Sequence, residues 1–380
     1  MMRCPCRILP IGVIGIGLSL VVISPAAGEV TDLSGTAQMT VIQYQDSREI
    51  QRDTNRDAVP LITATPPATA RARLERTGTT GITAAGQGLA VLQAADPLTT
   101  GTPNDAGLDM GAFSDDGVTS WSLNGQVTEN RTIVLDTADL GGGVVTGGPT
   151  AVESRVLLSG VMLIVAMDPA TDLSNTSVEL TINVIQRAST AETFLLLDGT
   201  VTLSGGPNGE VTVSQATGAF ANVSLPINDF PELTPNLPLV RAIGFQGLEL
   251  KYQYEVIAGQ AFDLALFVGC KLNTSPQGTG AAAVFGVPQQ GMSAVLSKVK
   301  GDDRGQSLAT AVAQYVDTTG QAYVSTPNPA PSLMGMLFPF CGGMGLESAG
   351  LAVVCSGVGA LRFLGKGRRR RRRGGFRDSC

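Results

Sequence analysis

Histidine is missing from all 380 residues. Imidazole is the commonest general base and metal ligand near neutral pH. Its absence excludes Ser-His-Asp and Cys-His catalysis and every zinc site that uses an imidazole. Carboxylate chemistry, Ser-Lys chemistry or no chemistry remain, and no catalytic motif stands out, so the sequence reads as a non-enzyme. Aromatics are also few, with one Trp and five Tyr. Charged residues make up only 15% of the chain against 43% apolar ones. That balance is too apolar for a disordered chain and ample for a core.

A disulfide framework is missing too. Of the six cysteines, Cys4 and Cys6 lie near the N-terminus and Cys341, Cys355 and Cys380 near the C-terminus. Only Cys270 falls in the interior of the sequence, so the body between must hold together by packing alone. The net charge of -6 conceals an asymmetry: residues 29–330 carry 15 Lys and Arg against 30 Asp and Glu. A body this acidic repels nucleic acid and anionic lipid, and no nucleic-acid partner is expected.

The ends carry addresses. Arg3 and Arg7 precede an apolar stretch from Ile8 to Ile23, and Ser24-Pro25-Ala26-Ala27-Gly28 supplies small residues for cleavage. Together they form a secretory signal peptide over residues 1–28. At the other end, a Pro-rich spacer over 327–332 (Pro327-Asn328-Pro329-Ala330-Pro331-Ser332) leads into an apolar segment over 333–364. That segment is expected to be a C-terminal transmembrane or sorting helix. A basic cytoplasmic tail over 365–380 follows, with Arg368, Arg369, Arg370, Arg371, Arg372 and Arg373 in one block. An apolar run closed by arginines is a stop-transfer pattern that keeps the basic block inside. Glu347 interrupts the apolar run, which makes a weak permanent anchor.

Pro329, Pro331 and Ser332, the Gly/Ala/Leu-rich segment and the arginine block together resemble the PEP-CTERM sorting signal, in its planctomycete-like variant. The resemblance implies retention at the inner membrane, then processing by an exosortase-type enzyme, and association with exopolysaccharide. It makes the protein exported, first membrane-tethered and then at the cell surface or in the extracellular matrix.

The body, residues 29–326, reads as all-β. Met39–Gln45, Arg131–Leu135 and Val178–Val184 have strand content, the last with clean period-2 alternation. Val156–Met167 suits a central strand and is too short to cross a bilayer. Asp198-Gly199 and Asn208-Gly209 each predict a tight turn in an antiparallel meander. Leu248, Leu250, Tyr252, Tyr254 and Val256 alternate with polar residues, and Ala258-Gly259-Gln260 turns the chain back. By contrast, residues 63–101 read as irregular with one short strand near Leu89–Leu92, and 104–116 as an acidic loop. The run from Tyr252 to Gly286 resembles the sandwich body common beside such sorting tails. That likeness implies an antiparallel β-sandwich of jelly-roll-like type.

Three sets of residues are candidate sites. Asn104, Asp105, Asp109, Asp115 and Asp116 concentrate oxygen ligands that could hold Ca²⁺, although the spacing is not that of an EF-hand and turn formation explains the same residues. Tyr252 and Tyr254 could form a sugar-stacking platform, but the apolar face they share favours the core. Trp121 could contact a ligand, although a buried anchor is the commoner use of a lone indole. No other cofactor is expected. The reading is a structural or adhesive surface protein, with a carbohydrate-binding module as the alternative and a carboxylate-based hydrolase as the third possibility. N-terminal sequencing of the exported protein is expected to begin after Ala26 or Gly28, and recovery of Met1 on the surface form would remove the signal-peptide reading.

Overall fold

The structure is a computed structural model describing residues 29–60, 68–79, 81–93, 104–140, 147–187, 192–229, 239–285 and 324–326. By compactness the chain divides into Met1–Pro331 and Ser332–Cys380, and every described residue belongs to the first unit. The leader, the proline spacer, the apolar C-terminal segment and the arginine block lie outside the described residues. Among the described residues no helix is long and apolar enough to cross a membrane.

Among the described residues, fifteen strands form two antiparallel sheets. Sheet I has the order β10-β9-β8-β13-β6-β1-β2, and sheet II the order β11-β12-β7-β14-β5-β4-β3 with β15 beside β5 and β7. The strands of sheet I are β1 (Glu29–Gln45), β2 (Arg48–Pro60), β6 (Thr119–Val134), β8 (Ser177–Arg187), β9 (Thr193–Gly205), β10 (Val211–Gly218) and β13 (Ala261–Thr274). Sheet II holds β3 (Ala68–Gly78), β4 (Gly81–Gln93), β5 (Asn104–Ser114), β7 (Pro149–Ala166), β11 (Asn228–Asp229), β12 (Leu239–Ile257), β14 (Thr279–Phe285) and β15 (Val324–Thr326). The sheets pack face to face, β1 and β6 against β3, β4 and β5, and β9 against β12. From β5 to β8 the chain passes from sheet to sheet at each step. Later, β13 inserts between β8 and β6, and β14 between β7 and β5.

Small residues on one sheet receive large ones from the other. A Cβ on Gly86 would stand 2.8 Å from Cε3 of Trp121, and one on Gly88 would collide with the Met39 sulfur. Trp121 therefore lies across the interior from β6 to β4, and its indole N–H donates to the Phe113 carbonyl at 3.2 Å. The first hairpin turns at Asp46-Ser47, both with positive φ (48° and 62°), as a two-residue type I′ connection requires.

Several expectations need correcting. Within 63–101, the described residues 68–78 are not irregular: Ala68, Ala70, Ala72 and Leu74 point inward while Thr69, Arg71, Arg73 and Glu75 point out, a period-2 strand built on alanine. Its partner β4 is also described. The acidic loop is instead β5, held between β4 and β14, so tertiary pairing overrides the weak β propensity of Asp, Asn and Gly. Asp198-Gly199 is no turn. It lies inside β9, opposite Asn183 and Ile182. Asn208-Gly209 does turn, with φ of 56° and 70°.

Replacing Gly86 with Ala is expected to destabilise the body by about 1–3 kcal/mol through overpacking against Trp121. Trp121→Leu in the same chain should recover part of the loss. Urea unfolding followed by circular dichroism measures both, and additive losses would show that the two positions do not share a space.

Candidate functional site

The side chains of Asp109, Asp115 and Asp116 form no shared ligand set among the described residues. Asp105 and Asp109 lie four residues apart on β5, roughly 13 Å along the strand. Asp109 is buried on β5, between Leu89 and Val284 on the neighbouring strands. Asn104 begins β5, and Asp115 and Asp116 follow its end in the turn. Asp116 works as a turn cap, accepting from the Val118 and Thr119 N–H groups at 3.0 and 2.7 Å and from the Thr119 hydroxyl at 2.6 Å. Partial burial acts to raise its pKa, but these hydrogen bonds and Arg76 outweigh it, and the carboxyl titrates below its ordinary range. Among the described residues, no group of three or more acidic or cysteine side chains is placed to hold a metal ion.

The aromatic candidates are walls, not platforms. Tyr252, Tyr254 and Trp121 are all buried. Tyr252 and Tyr254 stack at 6.0 Å, and Tyr254 meets the Phe262 ring at 5.6 Å. Arg131, whose field reaches both tyrosines, is ten residues from Trp121 on β6. At about 3.3 Å per residue the two ends are roughly 33 Å apart. The structure therefore puts Trp121 and the tyrosine pair at opposite ends of the interior.

The tyrosine end holds an unusual polar island. Glu129 and Arg131 form an ion pair on the inward face of β6, both nearly excluded from solvent. Burial raises the Tyr252 pKa, with the facing Ser154 and Arg131 opposing the change and Glu129 adding to it. Burial pushes the Tyr254 hydroxyl well up, Tyr252 adding to the shift and Arg131 opposing it. The Tyr254 hydroxyl is buried with no hydrogen-bond partner among the described residues.

Above this island is a cleft of about 530 Å³ between the sheets. Gln186, Phe194 and Leu195 of sheet I line one side and Gln253, Tyr254 and Glu255 of sheet II the other. Phe194 and Leu195 are 46% and 61% exposed, unusual for large apolar side chains. Gln186 bridges the layers, its amide donating to the Glu255 carbonyl at 2.8 Å. Sequence reading missed this cleft because its walls come from strands distant in the chain. The one local signal is the run Phe194-Leu195-Leu196, which breaks the alternation of β9.

The second feature is the outer face of sheet I. It presents hydroxyls and amides joined across strands. Thr54 donates to Thr40 at 3.2 Å, Gln126 to Gln38 at 2.9 Å, Thr132 to Asp263 at 2.7 Å, and Asn273 to Ser177 at 3.3 Å. Thr181 and Thr200 share a hydrogen bond at 3.3 Å. Such a face offers an array of donors and acceptors, with the Lys271–Glu179 ion pair among them.

Arg131→Met alone is expected to destabilise the body by about 3–5 kcal/mol, because it leaves the Glu129 carboxylate buried without its cation. Glu129→Leu combined with Arg131→Met should be far milder. Denaturant midpoints check this, and equal losses in the single and double variants would mean the ion pair is not the cause. Compared with known proteins, the chain matches no family model and no curated sequence, and the reading of its surfaces rests on the geometry above.

Proposed function

We propose that the chain is an exported cell-surface or extracellular-matrix protein with a structural or adhesive role. Its body is of jelly-roll type, with β13 and β14 intercalated into sheets already begun. The observation that carries the reading is the outer face of sheet I. Its cross-strand hydroxyls and amides suit many weak contacts to a hydrated polymer such as exopolysaccharide, and the Lys271–Glu179 ion pair at 3.3 Å adds charge to the same face. The carboxyl pKa shifts resolved among the described residues, at Glu49, Asp116, Asp136 and Asp172, all run downward. A glycosidase acid needs the opposite shift. The proline spacer, the apolar segment and the arginine block support temporary membrane retention followed by cleavage near residues 327–332.

A second reading, a carbohydrate-binding module, draws on the cleft. Exposed Phe194 beside Gln253 and Glu255 offers one apolar contact and several polar ones, the mixture that sugar rings take up. Tyr252, Tyr254 and Trp121 would take no direct part as stacking surfaces.

The mass of the surface protein tests the first reading. The expected form ends within residues 327–332 and sediments with washed exopolysaccharide. Pro329→Leu with Pro331→Leu should leave the full-length chain in the membrane fraction. Replacing Arg368 to Arg373 with Ser should let the chain be secreted without processing. A wild-type surface form that still ends at Cys380 would mean an ordinary anchor. Loss of exopolysaccharide association in Phe194→Ala, with the fold intact, would favour the cleft over the open face.

A further inference from the structure

The two sheets differ in how many of their faces are hidden. In β8, buried and part-exposed positions alternate from end to end, as in a sheet with one face on the core. In β14 every residue from Thr279 to Phe285 is buried, and so is every residue of β7 from Gly160 to Ala166. Register assigns the additional buried groups to one surface. Val161 stands opposite Val284, and Phe113 and Val165 both stand opposite Gly280. With Leu163 and Leu89 they form the face of sheet II turned away from sheet I. None of the six belongs to the cluster between the sheets, yet none is more than 4% exposed. The strand contacts between layers all join sheet I to sheet II, so no described strand covers this face.

A second observation says what does. β14 occupies the slot between β5 and β7, with Phe285 opposite Leu108 and Gly160. β15 occupies the same slot in the same direction, with Val324 opposite Ala106 and Leu158. On each neighbouring strand the two partners are only two positions apart. β14 and β15 are thus one strand line, interrupted by residues 286–323. A chain leaving a slot flanked by strands on both sides must depart through a face of the sheet. The inner face is filled by the core, which leaves the outer one.

We propose that residues 286–323 of this chain dock along the outer face of sheet II as a third layer. The sequence of that segment suits the task. Leu308, Ala311, Val312 and Tyr315 recur at three- and four-residue spacing, the pattern of a one-sided apolar stripe. Charge is concentrated between the apolar parts, at Lys298, Lys300, Asp302, Asp303 and Arg304. An excursion whose two ends lie side by side at the middle of the face is already tethered there, so its effective concentration at the surface is high. The inference has a functional corollary that rests on the proposed surface role: the broad apolar face of sheet II is already taken, and sheet I offers the open face.

Photo-cross-linking in the full-length protein tests this from both sides. With benzoylphenylalanine at Leu163, irradiation of the folded chain should give an intramolecular link to a peptide within 286–323. With the same group at Tyr315, a conservative exchange of aromatic for aromatic, the link should fall on β4, β5, β7 or β14. Circular dichroism confirms the fold of each variant, and the Tyr315 variant decides alone if the buried Leu163 position does not accept the larger ring. Links to another part of the chain, a cross-linked dimer, or no link would each overturn the proposal. A dimer would identify a second copy as the occupant. None of these outcomes bears on the processing of the tail or on exopolysaccharide association, so this layer and the proposed function stand or fall separately.

Discussion

Val161–Ala166 and Thr279–Phe285 are buried on both faces, and a strand hidden in this way cannot stand at a sheet edge. Much else follows from that constraint. β14 has only seven residues, three of them consecutive alanines, and it is stable only as the filling between two longer strands. Its small side chains also set the depth of the interior. Gly86 and Gly88 on sheet II face the bulk that sheet I supplies through Trp121 and Met39. Large against small keeps the layers at packing distance without voids. The same economy explains how a body without a disulfide can have a well-filled core. Its single cysteine, Cys270, is buried and free, and desolvation, with Glu179 adding to it, pushes the thiol pKa so far up that the reactive thiolate is suppressed.

Parts of this arrangement can be read from the sequence. Leu248 to Val256 alternates without a fault, and that alternation puts Tyr252 and Tyr254 on the apolar side, where they are found. Val178 to Val184 is equally plain in β8. The failures have a common physical origin. β3, β4 and β5 use alanine and glycine at many positions where larger β-branched residues are expected, because they face large partners across the core. Their strand character comes from neighbours far away in the chain, and local propensity does not carry it. Asp198-Gly199 fails for a related reason. The missing side chain at Gly199 admits the Phe220 ring, within 3.0 Å of where a Cβ would sit, so the glycine serves packing and not a turn. The cleft was illegible because β7, β8, β9, β12 and β13 each give it only a few residues.

The polar island at the tyrosine end is the opposite of an economical core. A buried ion pair brings little net stability against an apolar replacement. What it does oppose is slippage. Moving β6 by one residue would turn Glu129 and Arg131 outward and carry Asn130 and Thr132 into the interior, without the partner that Thr132 has in Asp263. At the other end of the same strand Trp121, seated against Gly86 and bonded to the Phe113 carbonyl, opposes the same slip.

A two-sheet body also has four edges, each a template for unwanted pairing. Each is handled differently here. β2 carries Arg48, Glu49, Arg52 and Arg56. β3 is stitched to it by side chains: Asp57 accepts from the Thr69 N–H and Asp53 from the Arg73 N–H, both at 2.8 Å, while Asn55 donates to the Arg71 carbonyl at 3.3 Å. These contacts step along both strands by two, so three side chains stand in for the backbone ladder that would otherwise join the sheets. At the far side, β10 is bent by a bulge between Val213 and Gln215, and β11 is only two residues long. Edges blunted in four ways make strand addition a poor route to association. A partner of this body, under the proposed surface role, would then be met across a face or in the cleft. With the apolar face of sheet II already buried, the hydroxyl and amide rows of sheet I are the broad surface left to do it.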